Sequence, residues 1–181
     1  MILKVARLGH PVIRAAAKPV PVEHIKTAEF QNLLDDMVET MHEYNGVGLA
    51  APQIHLSLQV AVLQCEMNPR YPEAPPIPLT VILNPVVTVL DSTPVEDFEG
   101  CLSIPDFRGS VPRFKQVRVQ ALGRAGEPLD FVATDFHARV IQHETDHLKG
   151  EVYLDRMPNM RSLGHLAEFQ RFTLPALANK K

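Results

Sequence analysis

Apolar residues recur at helical spacing over Phe30, Leu34, Met37, Val38 and Met41, just after Thr27, a residue suited to capping a helix start. The spacing predicts an amphipathic helix over residues 28–44, ended by Asn45-Gly46. The first 26 residues contain Pro11, Pro19 and Pro21 and predict irregular structure. Beyond the helix the pattern becomes that of strands: LQVAVLQ (58–64), TVILNPVVTVL (80–90) with Asn84-Pro85 as a break or edge feature, VRVQAL (117–122) and LDFVAT (129–134). The last two, joined through GRAGEP, read as a hairpin with a loop longer than two residues. NPRYPEAPPIP (68–78) is too rich in proline for regular structure and reads as an exposed loop. A second helix starts at a cap from Thr134 or Asp135 and closes at Gly150. EVYLD then reads as a short strand, and residues 158–181 as a tail or short helix weakened by Gly164. Strands in runs with two strong helices predict an α+β fold, and 181 residues suit one domain spanning 1–181.

Composition changes this picture little, being 45% apolar and 22% charged, close to an ordinary globular chain. Net charge is −3 with scattered basic residues, so no nucleic-acid surface is expected, and Lys180 and Lys181 read as a solvated tail. No apolar run approaches the roughly 18 residues of a membrane span. Lys4, Arg7 and Pro11 interrupt the first residues, unlike a signal peptide. The expectation is a cytoplasmic protein in which Cys65 and Cys101 stay reduced.

The chemistry concentrates in the second helix, where His143-Glu144-Thr145-Asp146-His147 matches H-E-x-x-H, a pattern that binds zinc in metalloproteases. At about 100° per residue, Val140, His143 and His147 all fall within about 40° of Phe136. Glu144 flanks this face on the side of Ile141 and Leu148, where desolvation would raise its pKa toward that of a general base. Asp146 falls on the other flank with Arg139, Gln142 and Lys149, and reads as an ordinary helix-face charge. Two histidines hold a metal poorly, since a catalytic site generally uses three protein ligands and one open position. No histidine follows at the spacing of the long zincin motif; Glu151, Asp155 and His165 are formal alternatives. Cys101, beside Gly100 in a polar segment, is the stronger third ligand, whereas Cys65 in its apolar strand reads as a small buried hydrophobe. GVGLAAPQ also contains a fragment of a dinucleotide fingerprint, but a helix rather than a strand precedes it.

Taken in order, Gly46-Val47-Gly48-Leu49-Ala50-Ala51-Pro52-Gln53, Glu99-Gly100-Cys101-Leu102-Ser103 and Gln142-His143-Glu144-Thr145-Asp146-His147-Leu148 resemble the three motifs of the peptide deformylase family, type 1. The opening ILKVARLGHPVIRAAAKPV also resembles that family's, so the likeness covers nearly the whole chain. The resemblance implies antiparallel or mixed β-sheets packed around a central metal-binding helix. It implies a divalent metal on Cys101, His143 and His147, Fe²⁺ natively with Ni²⁺, Co²⁺ or Zn²⁺ able to replace it. It implies Glu144 as the base, and the Gln53 amide with the Leu102 backbone N–H as oxyanion donors. Gly46 and Gly48 would let the backbone approach a bound peptide, while Val47, Phe136 and Val140 would line the methionine pocket. The implied substrates are formyl-methionyl nascent peptides, met in transient contact with the ribosome. Thr145 departs from the family's usual apolar residue and, lying opposite the histidines, is expected to leave catalysis unchanged. A zincin-like endopeptidase and a non-catalytic metal- or peptide-binding module are the competing readings.

Overall fold

Thr27 starts the first long helix as its pattern requires, its hydroxyl accepting the Phe30 N–H at 3.3 Å. This helix, α2 (Ala28–Glu43), follows a one-turn helix α1 (Val22–Ile25) and ends at Asn45, whose φ of 51° turns the chain out of the helix. The computed structural model describes residues 1–66, 68 and 74–178. Residues 69–73 of the Pro-rich loop expected at 68–78, and the terminal Lys180 and Lys181, lie outside the described residues, while Ile77 and Pro78 at the end of that stretch already belong to a strand. After α2 come β1 (Gly48–Ala50), a 3-10 turn at Ala51–Ile54, β2 (Val60–Cys65), β3 (Ile77–Cys101), β4 (Ile104–Leu122) and β5 (Pro128–Thr134). The second long helix α3 (Asp135–Leu148) leads to α4 (Tyr153–Arg156) and β6 (Gly164–His165). Two short helices, α5 (Leu166–Glu168) and α6 (Leu174–Ala178), close the described chain around a π turn at Phe169–Thr173.

The strands form one sheet in the order β1-β2-β3-β4-β5, with β6 paired to β4 and every named pair antiparallel. Strand β2 is buried on both faces, which explains its unbroken apolar run. Val60 and Val62 join Leu34, Met37 and Met41 of α2 in one core. Ala61 and Leu63 join Ala138, Val140 and Ile141 of α3 in another. The sheet is thus packed between the two long helices, an α+β fold as the order of elements predicts. The β3–β4 ribbon shifts register at Leu83/Val86, Val89/Asp91, Asp91/Pro94 and Glu99/Cys101. Such bulges bend paired strands. The first coincides with Asn84-Pro85; Asn84 has φ 51° and its side chain bonds both the N–H and the carbonyl of Val20.

Three local expectations change. EVYLD is a helical turn rather than a strand, because the Asp155 carboxylate accepts the Val152 N–H at 2.8 Å and closes the turn on itself. The tail divides at the point where Gly164 weakens a helix: Gly164 and His165 pair with Arg108 and Phe107, and helix begins only at Leu166. Thr134 occupies the N-cap position of α3 without a capping hydrogen bond, and Asp135 has φ 49°. At the other end Gly150 has the expected left-handed φ of 78°, and a Cβ there would lie 2.6 Å from the Arg14 carbonyl oxygen.

Candidate metal centre and hydrolytic site

Cys101 ends β3 and pairs with Ile104 across a turn made of Leu102 and Ser103, so the hairpin delivers its thiol to the face of α3. Side chains of alternate strand residues share a face, so Glu99 arrives there with it. The potential ligand atoms of Cys101, His143 and His147 lie within 4.8 Å of one another. Cys101 Sγ is 3.3 Å from His147 Nε2. His143 Nδ1 is 2.9 Å from Glu99 Oε2. An ionised carboxylate only accepts, so Nδ1 carries the proton and Nε2 is the ring nitrogen left to serve as a metal ligand.

Glu99 is itself clamped. Arg113 donates to both its oxygens, at 2.8 and 2.9 Å, and Arg139 donates to one at 2.7 Å. Burial pushes the Glu99 carboxyl up, but Arg113 and His143 together hold it well below the usual range. Burial likewise pushes the Cys101 thiol up, and His147 and His143 pull it far below its ordinary value, toward thiolate. The donor set suits a divalent cation: a thiol drawn to thiolate and two imidazoles converge, and three protein ligands leave one position open.

Glu144 is 3% exposed, and its Oε2 has no hydrogen-bond partner among the described residues. Burial, the dominant influence, raises its pKa. Gly48 makes room for this carboxylate, because a Cβ there would sit 2.3 Å from Glu144 Oε1. The glycine is therefore required by Glu144 whether or not a peptide also approaches it. Gln53 Oε1 accepts the Ala50 N–H at 2.8 Å, which turns Nε2 toward Cys101 Sγ (3.4 Å) and Ser103 Oγ (3.3 Å). One narrow cleft is bordered by Val47, Gly48, Gln53, Leu102, Phe136 and Val140, and by Cys101, His143 and Glu144. Gly46 stands behind this wall, where a Cβ would lie 3.1 Å from Leu102 Cδ1.

A family model, polypeptide deformylase, matches residues 2–162. The chain belongs to this family. Polypeptide deformylases are metal-dependent hydrolases that remove the N-formyl group from nascent peptides. Peptide deformylase 1 of Nitrosomonas europaea is 47% identical over 165 residues, 91% of this chain and 93% of its own. Peptide deformylase 2 of Pseudomonas putida is 44% identical over 165 residues, with coverages of 91% and 93%. Among solved structures, the Met-Ala-Ser-bound class I type b peptide deformylase from Acinetobacter baumannii aligns with a TM-score of 0.84 and 39% identity, covering 87% of this chain and 99% of that one. The peptide deformylase of Thermotoga maritima aligns with a TM-score of 0.75 and 31% identity over 88% of this chain and 99% of that one.

Within the deformylase fold, Asp146 differs most from its sequence reading. It is 4% exposed and paired with Arg113 at 2.5 Å and Arg156 at 2.8 Å, so it is no surface charge. Arg139, assigned to the same polar flank, is buried and donates to Glu99 and to the carbonyls of Val95 and Val111. The wheel places these residues correctly in angle, but it cannot register that β3 and β4 cover that flank and bring their own charges. Glu151 pairs with Arg156, and His165 lies on β6; neither joins the Cys101 group. Glu99, Arg113 and Ser103 are the polar partners that sequence reasoning left without a role. For Glu99 the signal was present, since a residue two before Cys101 in a strand shares its face.

Proposed function

We propose that this chain hydrolyses the N-formyl group of formyl-methionyl nascent chains and releases formate, with each step carried by a named group of the cleft. The observation that carries the assignment is a buried Glu144, its Oε2 without a partner among the described residues, beside the converging Cys101, His143 and His147. Those three residues would hold one divalent cation, which when bound lowers the pKa of water and polarises a carbonyl. Glu144, its pKa raised by burial, accepts a proton from the attacking water and returns it to the leaving amine. The Gln53 side-chain amide and the Leu102 backbone N–H donate to the oxyanion that forms at the formyl carbon, each worth roughly 10²–10³ in rate. Val47, Phe136 and Val140 line the apolar pocket for the methionine side chain. Gly48 keeps a side chain off the cleft wall beside Glu144, while Gly46 stands behind that wall against Leu102.

The native ion in this reading is Fe²⁺, with Ni²⁺, Co²⁺ or Zn²⁺ able to replace it, and a ferrous thiolate site makes the enzyme oxygen-sensitive. The working unit is one domain over residues 1–181, acting in the cytoplasm in transient contact with the ribosome. The tail supports that contact by exposing Met160, Phe172, Leu174 and Leu177. No described helix is long and apolar enough to cross a membrane. The test is formate release from a formyl-methionyl peptide by iron-loaded protein under anaerobic conditions. Stoichiometric formate supports deformylation. Cleavage of internal bonds without formate would replace it with endopeptidase activity, and metal binding without turnover with a binding module.

A further inference from the structure

The two groups assigned to the oxyanion come from different parts of the chain, Gln53 from the turn after β1 and Leu102 from the β3–β4 turn. Three consecutive N-terminal residues join them. The Ala6 N–H donates to the Gln53 carbonyl at 2.7 Å and the Leu8 N–H donates to the Ser103 carbonyl at 2.9 Å. Between them, the Arg7 guanidinium donates to the Leu102 carbonyl. Ala6 points inward and packs in the core cluster that contains Cys101, while Arg7 lies on the outer side and reaches over the turn. The His10 and His55 rings, edge-on at 4.7 Å, add a second tie to the turn that carries Gln53.

A two-residue turn has little to hold it except its own ends. Here the peptide group between Leu102 and Ser103 is gripped on both sides: Arg7 takes its carbonyl, and its N–H points at Cys101 Sγ, 3.4 Å away. The Ser103 carbonyl is held in turn by the Leu8 N–H, so the chain that follows the Leu102 N–H is tied at two successive carbonyls. Gln53 is fixed from its carbonyl by the same short segment. We infer that Ala6–Leu8 is a strap that sets the separation and orientation of the two oxyanion donors, and that Arg7 is a positioning residue acting through Leu102. The inference rests on the assignment of Gln53 and Leu102 to the oxyanion.

The test compares Arg7→Ala, Arg7→Lys and Gln53→Ala in metal-loaded enzyme. Arg7→Ala should lower kcat about tenfold with KM within about twofold, as expected for loss of alignment rather than of substrate binding. Its affinity for the product peptide Met-Ala-Ser and its metal stoichiometry should match the parent. Its affinity for a tetrahedral phosphonate analogue of the formyl group should fall by the same factor as kcat. Arg7→Lys, which keeps one donor for the Leu102 carbonyl, should recover most of the loss. A kcat within about twofold of the parent in Arg7→Ala, or a loss mirrored in product affinity, overturns the strap. Normal turnover by Gln53→Ala would instead remove the oxyanion assignment beneath it. An impaired Gln53→Ala beside a normal Arg7→Ala would remove the strap alone. Should Arg7→Ala give too little folded protein, Arg7→Met, which keeps an unbranched side chain but has no donor, takes its place under the same criteria.

Discussion

Two acids on α3, Glu144 and Asp146, stand two residues apart and are almost equally buried, at 3% and 4% exposure. Their chemistry is opposite. Burial raises the Glu144 pKa, and the carboxyl keeps one oxygen without a partner among the described residues. Burial pushes Asp146 the same way, but the guanidiniums of Arg156 and Arg113 outweigh it and hold the carboxyl below its ordinary range. Depth in the protein therefore does not decide a carboxylate's role; the partners do. One flank of the helix keeps an acid unsatisfied, at a cost to stability, and faces the cleft with it. The other flank locks an acid into a charge network that reaches, through Arg113 and Glu99, to His143.

Breaking the contrast on the cleft side has the largest effect. Glu144→Gln should lower kcat by about 10²–10⁴ while metal stoichiometry stays at the parental value. Because it neutralises a buried unpaired charge, stability should be equal or higher, as read from the denaturant midpoint. Near-parental turnover would remove Glu144 from the proton-transfer role. On the other flank Asp146→Ala leaves Arg113 buried with half its charge partners. It should cost about 3–5 kcal/mol of stability, with much smaller change in turnover per folded molecule. If turnover collapses while stability holds, Asp146 belongs with the chemistry and the contrast is misdrawn.

The same contrast marks how far the sequence could be read. Periodicity located both long helices to within a residue or two, because α2 buries one continuous apolar stripe and the apolar positions of α3 keep the helical period even though its polar flank is covered as well. The angular position of Glu144 predicted its desolvation, since its neighbours on that side, Ile141 and Leu148, are covered by the same core. Asp146 and Arg139 were misread because a helical wheel treats the polar flank as facing water. What covers it is the bent β3–β4 ribbon, whose path depends on bulges at positions such as Asp91 and Pro94 that carry no clear period. The Cys101, His143 and His147 grouping was approached from ligand chemistry but settled on residue resemblance, because no spacing rule links a hairpin to a helix far along the chain. EVYLD failed for a local reason: five residues of strand-like composition can close on an Asp155 cap when no neighbouring strand pairs with them.

Glu99 lies where the two flanks meet, so its substitution sharpens the comparison with a smaller effect. Glu99→Gln keeps an acceptor for His143 but removes the charge that Arg113 and Arg139 surround. Carboxylate partners of metal-bound histidines commonly contribute about 10–100-fold to metal affinity. With the acceptor retained, the loss should be near the lower end, about tenfold in competition with a chelator. Unchanged affinity would mean that Glu99 serves the arginines and not His143.

The smallest effect tests whether burial is needed for the strong behaviour of Asp146. Asp155 carries a similar arginine partner, Arg14 at 2.5 Å, but its side chain is 38% exposed. Its own partial burial opposes ionisation, and the Arg14 guanidinium with the Val152 N–H still hold its pKa below the ordinary aspartate range. A carboxyl with a depressed folded pKa contributes stability that is fully present above the unfolded value. That contribution fades as pH falls through the lower folded value. Asp155→Asn keeps the acceptor for Val152 and loses only the charge, so at neutral pH it should cost about 0.5 kcal/mol or less once solvent screening is allowed for. The difference between variant and parent should shrink as the medium is acidified below the ordinary carboxylate range, and should also shrink in high salt at neutral pH. A loss at pH 7 as large as that of Asp146→Ala would show that an arginine partner matters more than the depth at which the pair is held.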